Sequence, residues 1–164
     1  MKNTICWRDD DINFETDMHK FIKVDTLLQK YKVKHTIALI CKDIQKAPDL
    51  IGYIKDNDID VQVHAFEHTD FTLLTKDEMR LQFKKSIAAI KKYFKKAPDT
   101  FYPPWNRSNA FVEEVAEEFG LTVKDQKISL SQYLRGAAGE VINFHSWSDE
   151  CKDLEAALIK YTGK

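Results

Sequence analysis

The chain has no cysteine pattern suited to a disulfide framework or a thiolate zinc cluster. Cys6, Cys41 and Cys151 are odd in number and widely spaced, so they read as free thiols. It has no excess of charge of one sign: 25 Lys and Arg stand against 26 Asp and Glu, a net of -1. That balance removes the phosphate attraction on which a nucleic-acid binder depends. No apolar run approaches the roughly 20 residues that cross a bilayer, and the start of the chain has no apolar stretch of the secretory type. The expectation is a protein that binds neither nucleic acid nor membrane and either works in the cytoplasm or was cut from a precursor. Repeats, low-complexity tracts and linkers are missing too, and 164 residues leave room for one core of ordinary size, hence a single domain over 1–164.

What is present is enough apolar material for that core, 43% of residues with 10 Phe, 6 Tyr and 3 Trp, arranged in alternating periods. Thr4 to Trp7 is β-branched and aromatic, and reads as a strand that ends at Arg8-Asp9-Asp10-Asp11. From Asp17 to Val33, Met18, Phe21, Ile22, Leu28 and Tyr31 recur at helical spacing. His35 to Ile40 reads as a strand buried on both faces, and Asp49 to Asp56 as a short helix. Ile59, Val61 and Val63 alternate with Asp60, Gln62 and His64, the period of a strand with one polar face. Thr75 to Glu78 is a capping box that starts a long helix burying Met79, Phe83, Ile87, Ile90 and Phe94, closed by Pro98. A strand at Thr100 to Tyr102 follows, then a helix capped by Ser108, burying Phe111, Val115 and Phe119 and stopping at Gly120. Strands at Leu121 to Val123 and Val141 to Phe144 and a helix from Asp149 to Tyr161 complete the chain. Strand and helix alternate throughout, which predicts an α/β fold with a mostly parallel sheet.

In such folds the chemistry gathers where strands end. Four clusters sit at that edge: Asp9 to Asp11, His64 with His68, Tyr102 to Asn106, and His145. Each alone has an ordinary structural reading, as a solvated turn, a chance histidine pair or a rigid Pro-Pro turn. Their common placement is what points to a site. Two imidazoles one turn apart plus one carboxylate make a divalent-cation site with a position left for water, and a second carboxylate and a further histidine can then move protons. Three adjacent aspartates would repel one another by ~4 kcal/mol per pair about 4 Å apart at an effective dielectric of about 20, a cost that a cation relieves.

With these residues in view, the sequence resembles the polysaccharide deacetylases, which include chitin, chitooligosaccharide and peptidoglycan deacetylases. Trp7-Arg8-Asp9-Asp10-Asp11-Ile12 is similar to the family's Asp-Asp strand end in its variant with Arg two residues before the pair. His64-Ala65-Phe66-Glu67-His68 is similar to its His-Ser/Thr-x-x-His, with Ala65 as a departure. Phe101-Tyr102-Pro103-Pro104-Trp105-Asn106 resembles Phe-Arg-Pro-Pro-Tyr-Gly, and Val141-Ile142-Asn143-Phe144-His145 its last apolar strand ending in His. The likeness spans residues 4 to 147, with the fourth motif not placed within Thr122 to Leu130.

The resemblance implies a distorted (β/α) barrel of about seven short parallel strands and metal-dependent removal of an N-acetyl group from an amino sugar or polysaccharide. It implies Asp10 as general base and His145 as general acid. Asp11, His64 and His68 would hold one divalent ion, zinc first, with cobalt or nickel as alternatives. Tyr102, Pro104, Trp105 and Asn106 would bind an acetylated sugar or glycan, and the amide of Trp105 would help stabilise the oxyanion. The catalytic pair is Asp9-Asp10 or Asp10-Asp11, the second preferred because Arg8 and Ile12 then flank it. Tyr102 stands where the family has the Arg that orients the base; Arg8 or Arg107 could supply that charge. Two other readings compete: a non-catalytic, metal-containing carbohydrate binder, and a metal-free structural domain.

Overall fold

The computed structural model describes residues 5–148 and 152–163. Seven strands, all parallel to their neighbours, lie in the order β5-β4-β3-β2-β1-β7-β6. They are β1 (Cys6–Ile12), β2 (His35–Ile40), β3 (Asp60–Ala65), β4 (Thr100–Phe101), β5 (Thr122–Val123), β6 (Ile128–Ser129) and β7 (Val141–Phe144). Among the described residues six α-helices pack on the outside: α1 (Met18–Lys30), α2 (Pro48–Asp56), α3 (Lys76–Phe94), α4 (Ala110–Glu118), α5 (Leu130–Leu134) and α6 (Leu154–Thr162). The sheet curls into a half-barrel left open between β5 and β6, as the (β/α) expectation requires. The open seam is a cleft of about 460 Å³ whose walls include Lys124, Lys127 and Glu140 and none of the predicted site residues.

Strand alternation sorts the side chains onto two very different faces. Trp7, Ile12, Ile37, Leu39, Val61, Val63, Phe101, Ile142 and Phe144 face the helices and form the apolar core with Phe21, Leu28, Ile54, Phe83, Ile90, Val115 and Leu158. The inner face of the half-barrel carries a small apolar set, Ala38, Tyr102 and Val141 with Cys6 against it, and a buried polar set of Arg8, Thr36, Gln62, His64 and Asn143.

Local signals account for much of this frame. The capping box at Thr75 and Glu78 is formed, and α3 buries Met79, Phe83, Ser86, Ile90 and Phe94. Helix α4 ends as expected: Gly120 takes φ +70°, and the amides of Gly120 and Leu121 close onto the carbonyls of Glu117 and Ala116, an end that favours glycine.

Four expectations need correction. β1 does not stop at Trp7; it runs through the aspartates to Ile12, because pairing with β2 on one side and β7 on the other outweighs the poor strand propensity of Asp. The cap of α4 is Asn109, whose side chain accepts from the amides of Phe111 and Val112, and Phe111 is 59% exposed instead of buried. In α1, Ile22 faces outward while Asp25 is buried. The segment β6-α5 has no counterpart in the sequence reading, although Ser129 and Gln132 form a second capping box that marks it. The Asp149 start expected for the last helix, and Cys151, lie outside the described residues. Cys6 and Cys41 are free thiols; burial pushes the Cys41 thiol up to about 12, which leaves it inert.

Candidate active site

The site is assembled by a break in the alternation of β1. In a regular strand Asp10 and Asp11 would point to opposite faces. Here Asp11 takes φ +62° and the register with β2 shifts between Asp9 and Ile12, so both carboxylates reach the inner, C-terminal rim. Asp is among the few side chains that tolerate this backbone region, and Asn13 donates from Nδ2 to the Asp11 carbonyl at 2.7 Å to hold the turn.

Asp11 is the hub. Its Oδ1 lies 3.0 Å from His64 Nε2 and 3.2 Å from His68 Nε2, and its Oδ2 lies 3.5 Å from His145 Nε2. Burial works to raise the pKa of Asp11; with His64 and His68 protonated, their hydrogen bonds and charge outweigh it and hold the carboxyl well below the usual carboxylate range. One ligand atom from each of Asp11, His64 and His68 falls within 4.8 Å of the others.

The histidines are fixed from behind. His64 Nδ1 sits 2.6 Å from the Tyr102 carbonyl; a carbonyl can only accept, so Nδ1 is assigned the hydrogen and Nε2, in the neutral ring, the lone pair. That lone pair then faces the Asp11 carboxylate at 3.0 Å. Two acceptors at that distance need a proton or a cation between them, and this is the sense in which the donor set fits a divalent metal. The two imidazoles are not one helical turn apart. His64 is in β3 and His68 in the loop beyond it, which is held by Gln82 Oε1 accepting from the amides of Phe66 at 3.1 Å and Glu67 at 2.9 Å.

Asp10 is buried and paired with Arg8, whose Nε lies 2.6 Å from Oδ1 and whose Nη2 donates to Oδ2 at 2.7 Å. Arg8 is fully buried, lies over the Tyr102 ring at 4.5 Å, and donates through Nη2 to Asn106 Oδ1 at 2.9 Å. Of the two arginines left open by the sequence, Arg8 is thus the one at the carboxylate; Arg107 donates to Asp70 at 2.9 Å. Asp9 lies apart from this cluster, on the helix-facing side, which places Asp10 and Asp11 together at the rim.

The loop after β4 divides into support and surface. Tyr102 is 3% exposed, with its hydroxyl 3.3 Å from Cys6 Sγ, and Pro104 is buried. Their side chains prop Arg8 and the turn and offer little surface to a ligand, which departs from the expectation for both. Trp105 is 55% exposed, with its ring centroid 4.4 Å from that of His68, so it is not a core residue. Trp105 and Asn106 both take φ +53°, a strained pair of the kind that gathers at functional turns. Trp147, passed over in the sequence, is 52% exposed against His145 at 4.9 Å; an aromatic two residues after the strand-end histidine was its only signal.

The fold and site define a parallel α/β half-barrel with a candidate cation site where its strands end. Comparison with known proteins narrows it: the polysaccharide deacetylase model matches residues 10–124, and the chain belongs to that family. It is 23% identical over 137 residues to chitin deacetylase 1 of Saccharomyces cerevisiae, covering 79% of this chain and 46% of that protein. It is 24% identical over 95 residues to chitin deacetylase 1 of Cryptococcus neoformans, covering 58% and 20%, so it spans less than half the length of either. Among solved structures, the fold matches a family 4 carbohydrate esterase from Streptomyces lividans with TM-score 0.79 and 18% identity, over 98% of this chain and 88% of the other. It also matches a family 4 pseudoenzyme from Bacillus anthracis with TM-score 0.83 and 17% identity, over 97% and 60%.

Proposed function

We propose that this chain is a metal-dependent deacetylase that hydrolyses the N-acetyl amide of an acetylated amino sugar or glycan. The observation that carries the reading is the convergence of the Asp11 carboxylate with Nε2 of His64 and of His68, beside a buried carboxylate and a further histidine. Those three residues would hold the ion, which when bound polarises the amide carbonyl and acidifies its water. Asp10, oriented by the two-point contact with Arg8, takes a proton from the attacking water. His145 delivers a proton to the amine nitrogen as the C–N bond breaks, since an unprotonated amine leaves poorly. The Trp105 amide would add a donor to the oxyanion, and the exposed indole offers a face on which a sugar ring can stack.

The chitin deacetylases and the Streptomyces esterase support an acetylated carbohydrate as the substrate class. Zinc is the first candidate metal, with cobalt and nickel next, since two imidazoles and a carboxylate accept all three. Acetate release from N-acetylglucosamine oligomers, assayed with each metal added in turn, is the test. Release that depends on metal and disappears in Asp10→Asn is the expected result. Tight sugar binding without release would replace this reading with the carbohydrate-binding one.

A further inference from the structure

Asp9 has no part in the chemistry above, yet it is the most deeply buried of the three aspartates of β1, at 0% exposure. It lies on the helix-facing side of the strand, among Trp7, Ile12, Ile37 and Phe144, where an apolar residue would cost far less than a carboxylate. Its contacts show what it holds. Oδ1 accepts from the Ser146 amide at 2.8 Å, and Oδ2 lies 3.5 Å from His35 Nε2. On its far side His35 places Nδ1 3.0 Å from Asp25 Oδ1, and the other oxygen of Asp25 accepts from Tyr53 at 2.9 Å and Gln29 at 2.7 Å.

The place of Ser146 makes this contact consequential. The ladder between β1 and β7 ends with Asp9 opposite Phe144, so the amide two residues beyond leaves the sheet without a ladder partner, and Asp9 supplies one. His145 is then bracketed, with Phe144 held by the ladder and Ser146 held by the carboxylate. That bracket fixes the backbone from which the imidazole reaches the rim.

We propose that Asp9 is a positioning residue for His145: its carboxylate anchors the Ser146 amide and thereby fixes the strand end that carries the proton donor, with His35 and Asp25 as its counter-groups. This rests on the reading of His145 as general acid. The test uses Asp9→Leu, which removes the acceptor and suits the apolar face, and Asp9→Asn, which keeps an acceptor for Ser146.

Two substrates are compared, an N-acetylglucosamine oligomer whose amine must be protonated and 4-nitrophenyl acetate whose leaving group needs no proton. A misplacement of about 1 Å can cost ~10²-fold. Asp9→Leu should therefore lose about that factor in kcat on the amide and stay within about twofold on the ester, while Asp9→Asn recovers most of the amide rate. Equal losses on both substrates, or none on the amide, overturn the proposal. Hydrogen exchange at the Ser146 amide and the His145 ring signals, read by NMR without added metal, give a second measurement. Asp9→Leu should expose the one and shift the other, and Asp9→Asn should do neither; unchanged signals in Asp9→Leu overturn the proposal whatever the activity. A wild-type protein that releases no acetate from the amide sinks the functional reading, and the NMR arm then decides the anchoring by itself. Should Asp9→Leu not fold, Asp9→Ala is read in the same way.

Discussion

The two faces of β1 handle buried charge in opposite ways. On the inner face Asp10 meets Arg8, an ion pair in two-point contact with the guanidinium braced on Tyr102 and Asn106. On the outer face Asp9 meets a backbone amide and an imidazole within a chain that ends on Asp25 in α1. Arginine stays charged at any working pH and presents a fixed fork, so the inner pair is permanent and directional. Histidine carries a charge that depends on its neighbours, so the outer chain is tied to pH. Adjacent residues thus serve different ends: the rim carboxylate belongs to the candidate site, and the core-side carboxylate to the frame.

The largest effect should come from the inner face. Asp10→Asn should lower kcat by ~10²–10⁴, the contribution of a positioned proton acceptor, with metal affinity by calorimetry retained; a near-normal rate would remove Asp10 from the chemistry. Next comes Arg8→Met, which strands a buried carboxylate and should cost about 3–5 kcal/mol in chemical denaturation. Adding Tyr102→Arg to that variant returns a guanidinium to the same carboxylate from the loop after β4, and partial recovery of kcat would show that the charge matters and its place of origin does not.

His64→Ala should lower metal affinity at least tenfold, as disturbing a metal's ligand shell commonly does; unchanged zinc binding would misplace the site. Trp105→Ala should raise KM several-fold with little change in Tm, because the indole is exposed; a core aromatic would instead cost ~3–5 kcal/mol. The smallest effect belongs to the outer face. Burial works to lower the pKa of His35, but hydrogen bonds with Asp25 and Asp9 outweigh it and raise the value above 6.5. The folded form therefore binds the proton more tightly than the unfolded chain. That stabilisation is fully present below about pH 6.5, and it is lost as pH rises through the folded-state value. The Tm of the wild type should fall toward that of His35→Gln as pH is raised from 5 to 9, and parallel curves would show that His35 carries no such linkage.

The sequence by itself determined the order and type of most elements, because hydrophobic period and capping are local: the stripe from Met79 to Phe94 and the Thr75 box needed no neighbour to be read. It also pointed to the family and to the strand-end placement of Asp10, Asp11, His64 and His145, since strand ends can be counted. Tertiary structure alone decided the length of β1, which pairing with β2 and β7 extends through three aspartates that a lone strand would not keep. It decided the seam between β5 and β6, where β6, only two residues long, is too short to announce itself. The same holds for the work of each aspartate. Asp9, Asp10 and Asp11 are identical in the sequence, and only the left-handed turn at Asp11, the guanidinium above Tyr102 and the amide of Ser146 give them three different surroundings. Arg8 and Tyr102 lie 94 positions apart, and no local pattern encodes their stacking. Packing across the sheet brings them into contact, and that contact braces the guanidinium at the Asp10 carboxylate.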